Sequence, residues 1–320
     1  MTLTNDQLQA MCERGFGAQA QIDSIQELGG GTFNTAYLIT LTDRRNVILR
    51  VAPPQTAKTA WEDAFLMRSE HAMQPYFAPI STLMPKTLLV DFTRQLIDRD
   101  YMFQTFIQGE RWDDAWDGLT TKENNLLWSQ FGRILKQIHQ VRGDQFGLPR
   151  PGFLFDCWSQ AVLDRMGRTL AAAQKIQLEV GNLPEIIEMI KAHPKQLDEI
   201  ETPRLLHGDL WLFNLLISRE AGEPSIIGVL DADRSWWGDP MADWTMFILA
   251  HANPDEGHGY FWQAYGKPKD TAGARFRKTV YDGMHAATAL VYSAQHNDKG
   301  TVERAYGTLR EVAESLPAFF

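Results

Sequence analysis

Residues 204–217 read R-L-L-H-G-D-L-W-L-F-N-L-L-I, and residues 226–244 read I-I-G-V-L-D-A-D-R-S-W-W-G-D-P-M-A-D-W. Two short apolar runs here flank a polar stretch, R-E-A-G-E-P-S at 219–225, which has the composition of a hairpin loop. Pairing the runs antiparallel brings the start of the first opposite the end of the second. Asn214 and Asp231 are therefore expected to face each other at one end of the ladder. An amide oxygen and a carboxylate meeting there are hard oxygen donors of the type Mg²⁺ takes. Asp209 lies one loop away, where its carboxylate could accept the proton of an attacking hydroxyl. Asp233 reads either as a further carboxylate near that metal or as a surface charge. Asp239 and Pro240 open the next helix as N-cap and first helical residue, and Asp243 in its first turn is expected to brace the loop.

Asp209 and Asn214 stand five apart, the spacing of the protein-kinase catalytic loop H-R-D-x-x-x-x-N. Phosphoryl transfer asks mainly for positioning and charge neutralisation, and these residue types supply both. The N-terminal third fits that reading. Thr4, Asp6 and Gln7 open a peripheral helix, and a strand-period stretch then begins near Ile22. Gly29, Gly30, Gly31 and Thr32 follow before the next strand. Three glycines between strands make either a flexible hairpin turn or a loop whose backbone N–H groups approach phosphates closely. In V-I-L-R (47–50) alternation puts Ile48 and Arg50 on one face, Ile48 to cover a base and Arg50 to reach phosphate oxygens. Glu70, in the amphipathic stretch W-E-D-A-F-L-M-R-S-E-H-A-M, stands where a helix could orient that cation. A strand from Asp98 to Gly109 follows, with backbone near Thr105 to Ile107 offering hydrogen bonds to a base and Gly109 as a hinge or plain linker.

Beyond Gly109 the period is helical. A capping box at Thr120–Glu123 precedes Leu127, Phe131, Ile134, Leu135 and Ile138 at helical spacing. His139 ends that helix and reads as structural. Asp113 and Asp114, between Trp112 and Trp116, make either a solvated acidic turn or a site for an amine-bearing ligand. Trp211, beside Asp209, joins them as a candidate acceptor contact.

Together, H-G-D-L-W-L-F-N, L-D-A-D, G-D-P-M-A-D-W, V-I-L-R-V-A-P-P and the helix ending in I-H resemble the aminoglycoside phosphotransferase family over roughly residues 22–250. That family of kinase-like enzymes includes antibiotic, choline, homoserine and fructosamine kinases. The resemblance implies an α+β, two-lobed protein-kinase-like fold. Its N-lobe (1–108) would hold an antiparallel sheet plus a helix, and its mainly helical C-lobe (109–320) a catalytic hairpin. It implies Asp209 as catalytic base, Asn214 and Asp231 as Mg²⁺ ligands, and Arg50 with Glu70 as the phosphate clamp. ATP or GTP would occupy the cleft, and a small-molecule hydroxyl, on an aminoglycoside-like or other amine-bearing antibiotic, would be the acceptor. A fructosamine- or choline-type metabolite kinase is the alternative; Trp211 suits the fructosamine branch, whereas Phe213 replaces the glycine usual there. A nucleotide-binding regulator without turnover is a third reading.

Composition is consistent with such a reading. Of 320 residues, 44% are hydrophobic and 22% charged, ordinary for a soluble globular chain. The net charge of −9 comes without a basic cluster, so nucleic acid and anionic membranes are not expected partners, whereas a cationic acceptor is tolerated. No apolar run reaches the roughly 20 residues of a membrane helix. The N-terminus lacks a signal-peptide pattern, and a cytoplasmic location is expected. Cys12 and Cys157 have no metal-ligand spacing and read as apolar fillers.

Overall fold

The computed structural model describes residues 3–29, 34–54, 65–247 and 257–320, the side chains of residues 245–247 excepted. The chain opens with α1 (Asn5–Phe16). The Thr4 hydroxyl accepts from the Gln7 N–H while the Gln7 side chain accepts from the Thr4 N–H, which satisfies two otherwise orphan donors. The helix is not the peripheral element expected. Met11 and Cys12 are fully buried, packed with Leu8 against the sheet that follows. That face of the sheet is apolar, and the apolar stripe of α1 covers it together with Leu96 and Ile97.

The first sheet is antiparallel throughout, in the order β1 (Ile22–Leu28), β2 (Thr35–Leu41), β3 (Asn46–Val51), β5 (Tyr101–Thr105), β4 (Thr87–Asp91). In β3 the side chains of Val47, Leu49 and Val51 are buried in the α1 core, which leaves Ile48 and Arg50 on the opposite face. The expected strand from Asp98 is only five residues, β5. The helix that carries Glu70, α2 (Leu66–Met73), precedes a tight turn over Gln74–Ile80 that Pro75 and Pro79 keep from continuing as an α-helix. Met73, Phe77 and Ile80 reach into a second, larger core, so the Glu70 helix is tied to the body below it.

That body begins at β6 (Glu110–Arg111) and α3 (Trp112–Ala115), and continues through α4 (Thr121–Gln140), β7 (Phe146–Gly147), β8 (Leu154–Phe155), α5 (Trp158–Lys175) and α6 (Leu183–Ala192). The catalytic-type segment then supplies β9 (Arg204–Leu206), β10 (Leu215–Ser218), β11 (Ser225–Val229) and β12 (Trp236–Gly238), followed by α7 (Pro240–Phe247), α8 (His258–Tyr265), α9 (Ala272–Gln295) and α10 (Lys299–Ser315). The hairpin pairs Leu215 with Val229, and the Leu230 N–H donates to the Asn214 carbonyl at 2.9 Å. β6 adds to its other edge, giving the order β11-β10-β6, and a small sheet β8-β7-β12-β9 lies beside it. Gly109 enters β6 by close approach. A Cβ there would stand 2.9 Å from Ile227 Cδ1 and 3.0 Å from the Ile217 carbonyl, so the residue is small because the chain crosses the hairpin tightly. Among the described residues no helix is long and apolar enough to cross a membrane.

Candidate active site

The loop between β9 and β10 is held from behind. The Asp243 carboxylate, in the first turn of α7, accepts from the His207 N–H (2.8 Å) and the Gly208 N–H (2.7 Å). His139 Nε2 reaches the same carboxylate at 3.0 Å, and its Nδ1 meets the Tyr265 hydroxyl at 2.7 Å. Burial alone would raise the Asp243 carboxyl, but the hydrogen bonds from His139 and the His207 backbone hold it below the usual range. The His207 ring is completely buried, edge-on to Phe77, and burial pushes it down to about 4. It is a neutral packing group, not an acid or base. Gly208 has φ +80°, and a Cβ would collide with the Arg234 carbonyl. Only glycine fits between the loop and the 232–235 turn.

This support aims Asp209 at the cleft. Burial raises its carboxyl to about 7, with Arg234 opposing and Asp231 reinforcing the shift. The Asn214 amide donates to the Asp209 carbonyl at 2.7 Å and to Asp209 Oδ2 at 3.2 Å, which fixes the amide with its oxygen free of that pairing. Asp231, one residue beyond the Leu230 pairing, adopts a left-handed backbone (φ 63°, ψ 50°), an uncommon conformation for a residue other than glycine that marks functional turns.

Across the cleft, Arg50 binds the two halves together. Its Nη1 donates to both Glu70 oxygens (2.8 and 2.7 Å), its Nη2 to Asp231 Oδ1 (2.5 Å), and Asp233 Oδ2 lies 3.5 Å away. Gln104 Nε2 adds a bond to Glu70 at 2.9 Å. Asp233 is buried, and burial first, then the Asp231 charge, pushes its carboxyl well above the usual range. Oxygens of Glu70, Asp231 and Asp233 all lie within 4.8 Å of one another. Three carboxylates around a single guanidinium leave a negative surplus, and hard oxygens at this spacing suit a divalent cation. The donor set therefore fits Mg²⁺.

Ile48 shares the cleft face with Arg50. Thr105 is spoken for, because its N–H donates to the Lys86 carbonyl at 2.9 Å and its hydroxyl accepts from the Lys86 N–H. Among the described residues the Ile107 backbone has no backbone partner. Gly29 is described and has open space around it; Gly30, Gly31 and Thr32 lie outside the described residues. The acidic turn is ion-paired within itself. Asp114 is clamped at both oxygens by Arg111 (2.7 and 2.8 Å), Asp113 stands 3.8 Å from the same cation, and Trp112 is a core residue bonded to Asn124. Arg111 in turn stacks 3.9 Å over Phe213, whose other neighbour is Trp211, stacked at 5.3 Å and 16°.

Sequence reasoning missed Gln104 and Arg111; it offers Tyr265 only by location, as an acceptor-side candidate, and not its contact with His139. Strand parity could have found Gln104, since it pairs across from Ile48. No local signal marks Tyr265, which reaches His139 over 126 residues of chain.

The chain is 26% identical over 231 residues to acyl-CoA dehydrogenase family member 10 of Mus musculus, covering 70% of this chain and 20% of that one. It is 30% identical over 175 residues to a candidate ketoamine kinase of Synechocystis, covering 51% and 55%. The chain thus spans a fifth of the first relative and about half of the second. Among solved structures, a candidate fructosamine-3-kinase from Haemophilus somnus superposes with a TM-score of 0.69 at 17% identity, covering 95% of this chain and 96% of that one. The streptomycin–ATP complex of APH(2″)-IIa superposes with a TM-score of 0.65 at 17% identity and 99% coverage of both. These likenesses establish a kinase-like fold. The model of the APH phosphotransferase enzyme family matches residues 24–277, and the chain belongs to that family.

Proposed function

We propose that the chain is a small-molecule kinase that moves the γ-phosphate of ATP or GTP to an acceptor hydroxyl. The observation that carries this reading is the convergence of Asp209, Asn214, Asp231 and the Arg50–Glu70 pair on one cleft. Asp209 takes the hydroxyl proton as the oxygen attacks phosphorus, and a carboxyl raised to about 7 is matched to that task at neutral pH. Asn214 and Asp231, with Asp233 behind them, would hold Mg²⁺, which neutralises phosphate charge when bound. Arg50, oriented by Glu70, clamps the phosphate oxygens from the sheet side. Ile48 covers the base, and the backbone at Ile107 hydrogen-bonds it. Gly29, Gly30, Gly31 and Thr32 would supply backbone N–H groups to the phosphates. Residues 1–108 then serve as the nucleotide lobe and 109–320 as the lobe of chemistry and acceptor.

The acceptor is an amine-bearing antibiotic or a ketoamine. A kinase-like neighbour binds streptomycin together with ATP, which supports the first, and the 30% identity to a candidate ketoamine kinase supports the second. Asp113, Asp114, Trp211 and Asp233 remain the proposed acceptor contacts. Mg²⁺-dependent nucleotide consumption is the test, measured against aminoglycosides, cyclic-peptide antibiotics, choline and ketosamines. Phosphorylation of one class assigns it. ATP binding with no acceptor phosphorylated would replace this reading with a nucleotide-binding regulator.

A further inference from the structure

Tyr265 is half-buried at the end of α8, its ring stacked on Phe261 (5.4 Å, 10°). Its hydroxyl stands 2.7 Å from His139 Nδ1, on the side of the imidazole away from Asp243. The protons in this chain can be assigned. Asp243 accepts two backbone N–H bonds and is held below the usual carboxyl range, so it is ionised and has no proton to give. His139 Nε2, 3.0 Å from Asp243 Oδ2, must therefore carry one. Among the described residues the Tyr265 hydroxyl meets no acceptor other than His139 Nδ1. Burial, first among several causes, raises that hydroxyl above the ordinary tyrosine range, so it keeps its proton at any working pH. A tyrosine O–H donates, and Nδ1 accepts only when bare.

We propose that Tyr265 is a positioning residue: its hydroxyl fixes His139 as the neutral, Nε2-protonated tautomer and thereby locks the Asp243 brace that aims the Asp209 loop. The chain of bonds runs Tyr265 O–H to His139 Nδ1, His139 Nε2–H to Asp243, and Asp243 to the His207 and Gly208 N–H groups. Without the hydroxyl, the proton on His139 is free to sit on Nδ1. A bare Nε2 would then face a carboxylate, lone pair against lone pair, and the brace would loosen. The other nitrogen's hydrogen bond is what selects a histidine tautomer. Tyr265 thus couples α8 to the catalytic loop without touching a substrate. The consequence for catalysis rests on the reading of Asp209 as the base; the assignment of the proton does not.

The test is Tyr265→Phe, which deletes one oxygen and keeps the ring packing. In ¹⁵N-histidine-labelled protein, the His139 signal, identified by its loss in His139→Gln, is expected to show a protonated Nε2 and a bare Nδ1. In Tyr265→Phe that pattern is expected to shift. Amide exchange at His207 and Gly208 is expected to accelerate about tenfold, with exchange in α9 and α10 unchanged. Trp262→Phe, a packing change beside Tyr265 that leaves the hydroxyl in place, is expected to move neither signal. Where turnover is measurable, kcat is expected to fall about tenfold with the nucleotide KM unchanged. A wild-type imidazolium or Nδ1-protonated His139, or an unchanged loop in Tyr265→Phe, overturns the proposal. Absence of turnover in the wild type would instead overturn the kinase reading, and the spectrum and exchange would still decide this one.

Discussion

Replacing Asp209 by Asn separates chemistry from binding and also reads the electrostatics of the site. The substitution keeps the size and the acceptor oxygen that Asn214 Nδ2 contacts at 3.2 Å, and it removes a charge the fold opposes. Burial raises the carboxyl from an ordinary 3.8 to about 7. Three pKa units at roughly 1.4 kcal/mol each make ionised Asp209 about 4 kcal/mol less favourable in the folded chain than in the unfolded one. That is an upper bound, because the carboxylate keeps some contact with the cleft. The folded value lies above the unfolded one, so stability is lost as pH rises from about 4 to about 7 and is constant above. Asp209→Asn lacks this loss. Its melting temperature is expected to match the wild type near pH 4 and to exceed it increasingly up to pH 7.

Catalysis moves the other way. Without a base, turnover is expected to fall by about 10²–10⁴, whereas nucleotide affinity, measured by calorimetry with a non-hydrolysable analogue, stays within about twofold. In the wild type, kcat/KM is expected to rise with pH to a plateau above about 7, the carboxyl's own value. A large loss of nucleotide affinity in Asp209→Asn would refute its assigned role. A stability difference independent of pH would refute the account of its raised carboxyl.

Glu70→Ala leaves the Arg50 cation to Asp231 and Asp233 alone and strands Gln104; breaking a buried pair from one side is expected to destabilise by about 3–5 kcal/mol and to raise the nucleotide KM more than kcat falls, both read on the purified variant. Gly208→Ala puts a Cβ against the Arg234 carbonyl at φ +80°; a cost above about 2 kcal/mol and near-complete loss of turnover are expected in melting and activity assays.

The parts of this molecule legible from sequence are those whose partners lie close along the chain. The hairpin, the helix start at Thr4, the capping box at Thr120 and the Ile48/Arg50 face all follow from local sequence, and the structure has each. The Arg50–Glu70 contact, 20 residues apart, was suggested by the family pattern, not by periodicity. Long-range polar matches were not legible. Arg111 on Asp114 and Phe213, Gln104 on Glu70 and Tyr265 on His139 depend on how whole helices dock. Trp112 shows the limit most clearly. Beside Asp113 and Asp114 it suggests a ligand platform, yet it is fully buried with its N–H on Asn124, because a large aromatic that can satisfy its one donor gains more from the core.

Charge balance in the cleft predicts that a divalent cation held at the proposed site would act on stability as well as on chemistry. Glu70, Asp231 and Asp233 crowd one guanidinium, with ligand oxygens within 4.8 Å of one another. Burial and mutual repulsion already push Asp233 well above its usual range, which is the response of a site with too few positive charges. A divalent cation relieves that repulsion only in the folded chain, so it must stabilise the fold by linkage. At a concentration ten times its dissociation constant the gain is about 1.4 kcal/mol, a rise of about 2 °C for a chain of this size. Mg²⁺ is expected to raise the melting temperature by that order without nucleotide, and further with it. NaCl at equal ionic strength should not reproduce the shift, since general screening of buried groups is weak. Asp231→Asn removes the most exposed of the three carboxylates, 39% accessible against 10% for Glu70 and 4% for Asp233, and with it the group best placed to meet an entering cation. Its melting temperature should rise without Mg²⁺, as repulsion is relieved, and respond little to added Mg²⁺. An equal Mg²⁺ response in wild type and Asp231→Asn would place the cation elsewhere and remove the electrostatic basis for this metal site.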